Sequence, residues 1–277
     1  MSSKRVKIYV EELLAEDKRI AVSAGTMLGN TTYYCENSFI PKEPWTEISN
    51  GEYKRLLLTR DQIKDRDTVG VFKIPNDILN KAKQIGIDKL SNQNQIAPLF
   101  LKEKELLVDF NESINDFLHS IAIRKWRKLH GLFVSSPISE QTVAKVSTDS
   151  KLMGLHIDNT LSFEVTSLGR SPNRICFNFG EEDRYLLFVD LTINSILNLL
   201  EAKGIRITSK NGQRISEAQI TELFFRNFPD YPVIKVKVKK GELYIAPTDN
   251  IIHDGAHYGK QKPDICLVVL GYFRPFI

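Results

Sequence analysis

Residues 233 to 239 read VIKVKVK, and so strict an alternation fits only one kind of local structure. With a period of two, Ile234, Val236 and Val238 point one way and Lys235, Lys237 and Lys239 the other. The segment therefore predicts a strand with one face in a core and the other in water. A helix would scatter the same residues around its circumference. Lys240-Gly241-Glu242 turns the chain into LYIAP, and the nearly continuous apolar run PDICLVVLGYF predicts a strand buried on both faces. From about Leu152, short β-rich runs precede this hairpin: LHIDN, LSFEVTSL, NRICFNF and YLLFVDL. Two helices interrupt the pattern. NSILNLLEAKG ends on Gly204, a natural residue just past a helix C-terminus, and SEAQITELFFRNF opens with Ser216 and Gln219 spaced as a capping box. The C-terminal half is thus expected to be antiparallel and β-rich, with a helical pair inserted.

The N-terminal half is less regular. Residues 5 to 10 (RVKIYV) alternate as a strand, while residues 21 to 60 are polar, carry Gly25, Gly29, Pro41 and Pro44, and predict irregular structure. Helical spacing appears at Ile78, Leu79, Ala82 and Ile85, and again at Ile114, Phe117, Leu118 and Ile121. The second helix is expected to run to about Leu129, which makes the RKWRK run (Arg124 to Lys128) its solvated C-terminal end rather than a nucleic-acid patch. The expected division is a mixed region, 1–145, packing on a β core, 146–277, with the helical insertion near 190–228.

Composition narrows the class. With 42% hydrophobic and 26% charged residues over 277 positions, the chain can bury a sizeable core as an ordinary globular protein. Lys and Arg exceed Asp and Glu by 38 to 34, too small a surplus to imply nucleic acid. Cys35, Cys176 and Cys266 are odd in number and form no CxxC pair, which suits reduced thiols in a cytoplasmic protein. No run is long and apolar enough for a signal peptide or a membrane span. No phosphate-binding Gly-rich loop or nucleophile elbow supports a nucleotide enzyme or a serine hydrolase.

The chemistry-bearing pattern lies in GLHIDN and GELYIAPTDNIIHDG. In a strand, residues i and i+2 share a face, so His156 and Asp158 project together with Ile157 on the other side. His253 follows His156 by 97 positions. Two imidazoles and one carboxylate make the facial triad that leaves positions open on Fe(II) for oxygen activation. The HxD strand, the distal His after KKGELYIAP and the terminal apolar strand together resemble the Fe(II)/2-oxoglutarate-dependent oxygenases, over about residues 150 to 273.

That resemblance implies an α+β fold with a mainly β core, a double-stranded β-helix or jelly roll with surrounding helices. It implies His156, Asp158 and His253 as iron ligands, with 2-oxoglutarate and O2 as cosubstrates. A carboxylate at Asp158 implies hydroxylation, desaturation or a related oxidation rather than halogenation. The family also needs a cation for the distal carboxylate of 2-oxoglutarate. The usual Arg, about ten residues after the distal His, is replaced here by Lys260 and Lys262. Some subfamilies use the fourth strand, about fifteen residues after HxD, and Arg174 matches that spacing; Lys262 ranks second and Arg184 third. The family prior points to an amino acid, peptide or specialised metabolite as substrate, with no nucleic-acid or membrane partner. A cupin-like metalloenzyme without 2-oxoglutarate and a non-enzymatic jelly-roll binding module stay open.

Other residues receive plainer readings. His257 is expected in a surface loop, His119 partly buried on a helix, and His130 near a helix end. Asn173 and Asn178 either contact substrate or tie down backbone, Tyr244 packs in the core, and Cys176 and Cys266 act as small core residues.

Overall fold

A computed structural model describes residues 4–12, 18–63, 67–136, 142–145, 151–207 and 215–274. Its strands are β1 (Lys7–Val10), β2 (Ile20–Val22), β3 (Thr26–Leu28), β4 (Phe39–Pro41), β5 (Thr46–Glu47), β6 (Thr68–Lys73), β7 (Ala122–Ser135), β8 (Asn173–Asn178), β9 (Arg184–Phe188), β10 (Ile234–Val238), β11 (Glu242–Ala246), β12 (His253–Ala256) and β13 (Asp264–Phe273). The helices are α1 (Asn50–Leu56), α2 (Asn76–Ile85), α3 (Ile96–Lys102), α4 (Lys104–Ile121), α5 (Ile193–Ala202) and α6 (Glu217–Asn227). No described helix is long and apolar enough to cross a membrane.

The strands form a six-stranded sheet, β1-β6-β11-β8-β13-β7, and a five-stranded sheet, β12-β9-β10-β2-β5. Among the described residues, the β1–β6 pair alone is parallel within these sheets. Strand alternation builds a layered, curled mixed α/β molecule. Between the sheets pack Val69, Val71, Cys176 and Val268 from one side and Leu186, Phe188, Ile234 and Val236 from the other. The opposite face of the six-stranded sheet carries Phe72, Ile175, Phe177 and Leu243 and is covered by α2 and α4. The outer face of the five-stranded sheet is covered by α5 and α6 through Ile196, Leu200, Phe224 and Phe225. β8 explains the pattern in one strand, since Ile175 and Phe177 meet the helices while Cys176 faces the inter-sheet core.

Several expected elements fall where the sequence put them, namely β8 to β11, β13, α5 and α6. The Ser216–Gln219 capping box forms in both directions. Others differ. α4 stops at Ile121, and the segment expected to continue it to Leu129 is β7, which pairs with β13 through most of its length. Buried β13 needs hydrogen-bond partners along both edges, and β7 supplies the second edge that β8 cannot. LSFEVTSL contains a 3-10 turn at Val165–Arg170 rather than a strand. Residues 21–60 hold short strands and α1. The described part of residues 1–145 contributes strands to both sheets, since β1, β6 and β7 extend the sheet of β8, β11 and β13, and β2 pairs with β10. Lys235 is not in open water: its ammonium lies 4.4 Å from the Trp45 ring and 4.7 Å from that of Tyr258.

Candidate metal centre

His156 and His253, so distant in sequence, are direct opposites across an antiparallel bridge. The His156 amide donates to the His253 carbonyl at 3.0 Å, and the His253 amide donates back at 2.8 Å. Their rings follow at 4.8 Å between centroids. Residues 157–159 do not continue as the strand expected of LHIDN, since the pairing is confined to the single His156–His253 bridge, yet Asp158 comes to the same side. Its Oδ1 lies 3.6 Å from His156 Nε2 and its Oδ2 3.4 Å from His253 Nε2. The ligating atoms of all three lie within 4.8 Å of one another, and this is the one such His/Cys/Asp/Glu group among the described residues. Cis ligands about 2.1 Å from one ion stand about 3 Å apart. A small contraction would suffice, so the donor set fits a divalent transition metal.

Local structure aims the first histidine. Gly154 sits at φ +70°, and a Cβ there would lie 2.6 Å from the Phe39 carbonyl oxygen. Its own carbonyl accepts from His156 Nδ1 at 2.8 Å, which turns Nε2 toward Asp158. Burial opposes a charge on His156, but the Asp158 hydrogen bond and the charges of Asp254 and Asp158 push its imidazole up to about 9. Burial likewise works against an ionised Asp158, yet Arg174 and His253 hold that carboxyl well below the usual range. The field thus favours a cation between the two residues, and a metal ion would displace the His156 proton. Burial depresses His253, whose Nδ1 lacks a hydrogen-bond partner among the described residues. His156 also lines a cavity of about 470 Å³ beside Ser38, Met153 and Glu217.

Of the three candidate cations, Arg174 is closest, with Nη2 2.5 Å from Asp158 Oδ2. Arg184 lies deeper, donating from Nη1 to Cys176 Sγ at 2.6 Å and standing 3.5 Å from Asp264. Lys262 is brought to neither place; it stands at the surface, 3.7 Å from Glu181. Lys260 is buried and bonds Asp264 at 2.6 Å.

Three histidine expectations need correction. His257 is buried, with Nε2 3.1 Å from Asp264, the carboxylate at the head of β13 that also faces Arg184 and Lys260. His119 is exposed, on the solvent side of α4. His130 belongs to β7, since α4 ends before it. Asn173 and Asn178 are backbone ties: Asn173 exchanges hydrogen bonds with the Phe273 main chain, and Asn178 donates to the Glu182, Val238 and Lys239 carbonyls. Tyr244, Cys176 and Cys266 are buried as expected.

Three carboxylates beside the motif were given no role from the sequence. Asp254 is buried, accepts from the Ala144 and Gly255 amides, and is pushed up to about 6 by burial. Asp249 has neither oxygen in a hydrogen bond of good geometry, and burial, then Asp158, push it up to about 7. Asp264 organises the Arg184, His257 and Lys260 cluster. Asp and Gly in a loop ordinarily signal a turn, so only burial distinguishes these residues. Comparison of the chain with family models, with curated proteins and with solved structures returned no match.

Proposed function

We propose that the protein is a non-haem Fe(II)/2-oxoglutarate-dependent oxygenase that hydroxylates an amino acid, peptide or specialised metabolite. The observation that carries this reading is the convergence of His156, Asp158 and His253 on one face, with their ligating atoms within 4.8 Å. The curled, two-sheet β core is compatible with that reading, with His253 on β12 and His156 held to it by a single bridge. Iron and 2-oxoglutarate held there would use O2 to oxidise a C–H bond of the substrate, with succinate and carbon dioxide as coproducts.

The chain's own part is to hold and orient. Arg174 neutralises Asp158 and fixes its carboxylate. The distal carboxylate of 2-oxoglutarate lies at the far end of a five-carbon chain, so its cation must stand back from the metal ligands. Arg184 meets that need better than Arg174, facing the same interior four residues along β9 from Phe188, the partner of His253. A metalloenzyme that shares the triad without 2-oxoglutarate is favoured by one observation, that Asp264 rather than a cation heads the last strand.

Succinate release from 2-oxoglutarate with Fe(II) in air tests the reading. Wild type should turn over above background even without its substrate, and His253→Ala should fall to background and lose its iron. Background turnover in a wild type that binds iron stoichiometrically would favour the second reading. No iron bound by either would end both.

A further inference from the structure

β7 is an edge strand fourteen residues long, and its free edge differs along its length. Near its C-terminal end the Gln93 side chain stands in for a neighbouring strand, accepting from the Val134 amide at 2.8 Å and donating to the Leu132 carbonyl at 3.1 Å. From Ile123 to His130 no other described segment offers the outer edge a backbone hydrogen bond. Bare strand edges recruit strands, and proteins commonly guard them with Lys and with bulges. Both devices occur here, since Arg124, Lys125, Arg127 and Lys128 crowd the segment and the register slips between Val268 and Val269 opposite His130. Guarding does not explain the rest. Ile123 and Leu129 are left 49% and 63% exposed on the same edge.

The two sides of β7 are chemically distinct. Arg127 and Leu129 line an apolar cavity of about 560 Å³ with Ile114, Leu118, Leu267 and Val269. Alternation sends Lys128 the other way, and the bulge re-aims His130 beside it, close enough to Arg174 and Asp158 to feel both charges. AIRKWRKLHGLFVS contains four Lys or Arg and no acid, which equals the whole chain's surplus of four. A second copy would bring the same charges and be repelled, whereas an acidic strand would be drawn in.

We propose that the free edge of β7 docks an extended peptide with alternating acidic and apolar side chains, its apolar row entering the cavity beside α4 and its acidic row meeting Lys128. Main-chain hydrogen bonds supply affinity and the two faces supply register, as in strand-addition complexes. That the docked segment is also the substrate rests on the oxygenase reading; docking itself does not.

The test uses the full chain with a chelator present, so its outcome is independent of any metal chemistry. The probe is a fluorescein-labelled twelve-residue peptide alternating Glu and Val, followed by anisotropy. Saturable binding is expected, weakened about tenfold or more by Lys128→Glu, by Leu107→Trp in the cavity wall, and by N-methylating alternate peptide bonds of the probe. The Lys128 side chain is exposed, so the charge variant should keep the wild-type thermal midpoint. No binding, indifference to N-methylation, or tighter binding of a single-stranded oligonucleotide of equal charge would each overturn the proposal.

Discussion

Asp264 is buried among three basic side chains, Arg184, His257 and Lys260. Burial resists its ionisation, but Arg184, His257 and Lys260 outweigh burial and keep its carboxyl far below the ordinary range. A folded-state value lower than the unfolded one, near 4, means that the carboxylate's stabilisation is complete above that pH and drains away as pH falls below it. Asp264→Asn should therefore cost about 3–5 kcal/mol at neutral pH, because it strands two buried cations, and should flatten the acid limb of stability. Urea midpoints of both proteins between pH 3 and 7 measure this; parallel acid limbs would remove Asp264 from the account. The neighbouring arginine carries a separate expectation. Arg184→Ala should raise the 2-oxoglutarate concentration for half-maximal turnover about tenfold or more while iron retention stays unchanged. The same response from Arg174→Ala alone would return the anchor to the residue beside Asp158.

Elements whose signals were local formed where the sequence put them. In α6 the Gln219 amide donates to Ser216 Oγ and the Ser216 amide donates to Gln219 Oε1, so two otherwise orphaned donors are satisfied within four residues. Ser216→Ala should cost about 1 kcal/mol in thermal unfolding with metal content unchanged. A loss of bound metal alongside would mean that α6 also supports the cavity at His156. The β7 boundary was illegible for the opposite reason. Ile114, Phe117, Leu118 and Ile121 carry a helical period that nothing local terminates, and the charged run after them suits a helix end as well as an edge strand. Pairing with β13 over nearly its whole length decides between the two.

For the whole molecule, the two halves share both sheets. β6 separates β1 from β11, and β2 joins β10 to β5. Arg19 reaches Glu242 with a bidentate pair at 2.7 and 2.8 Å, both groups buried, which ties the N-terminal strand to the head of β11. Residues 146–277 expressed alone would expose one edge of β10, one edge of β11 and the bare side of β13. That fragment should show no cooperative thermal transition and should aggregate, whereas the full chain should melt in one step. A sharp transition in the fragment would make 145/146 a real boundary.

Local order along the chain is enough wherever the signal rests on near neighbours. Alternation fixed which way Ile234 and Lys235 point, capping fixed the start of α6, and HxD put His156 and Asp158 on one face. Features that rest on distant partners become legible in the folded chain alone. The bridge to His253 completes the metal group, β13 draws residues 122–135 out of a helix, and Asp264 draws His257 inward. The physical reason is the same in each case. A buried strand edge or a buried charge must find its complement somewhere in the fold, and no window of local sequence contains it.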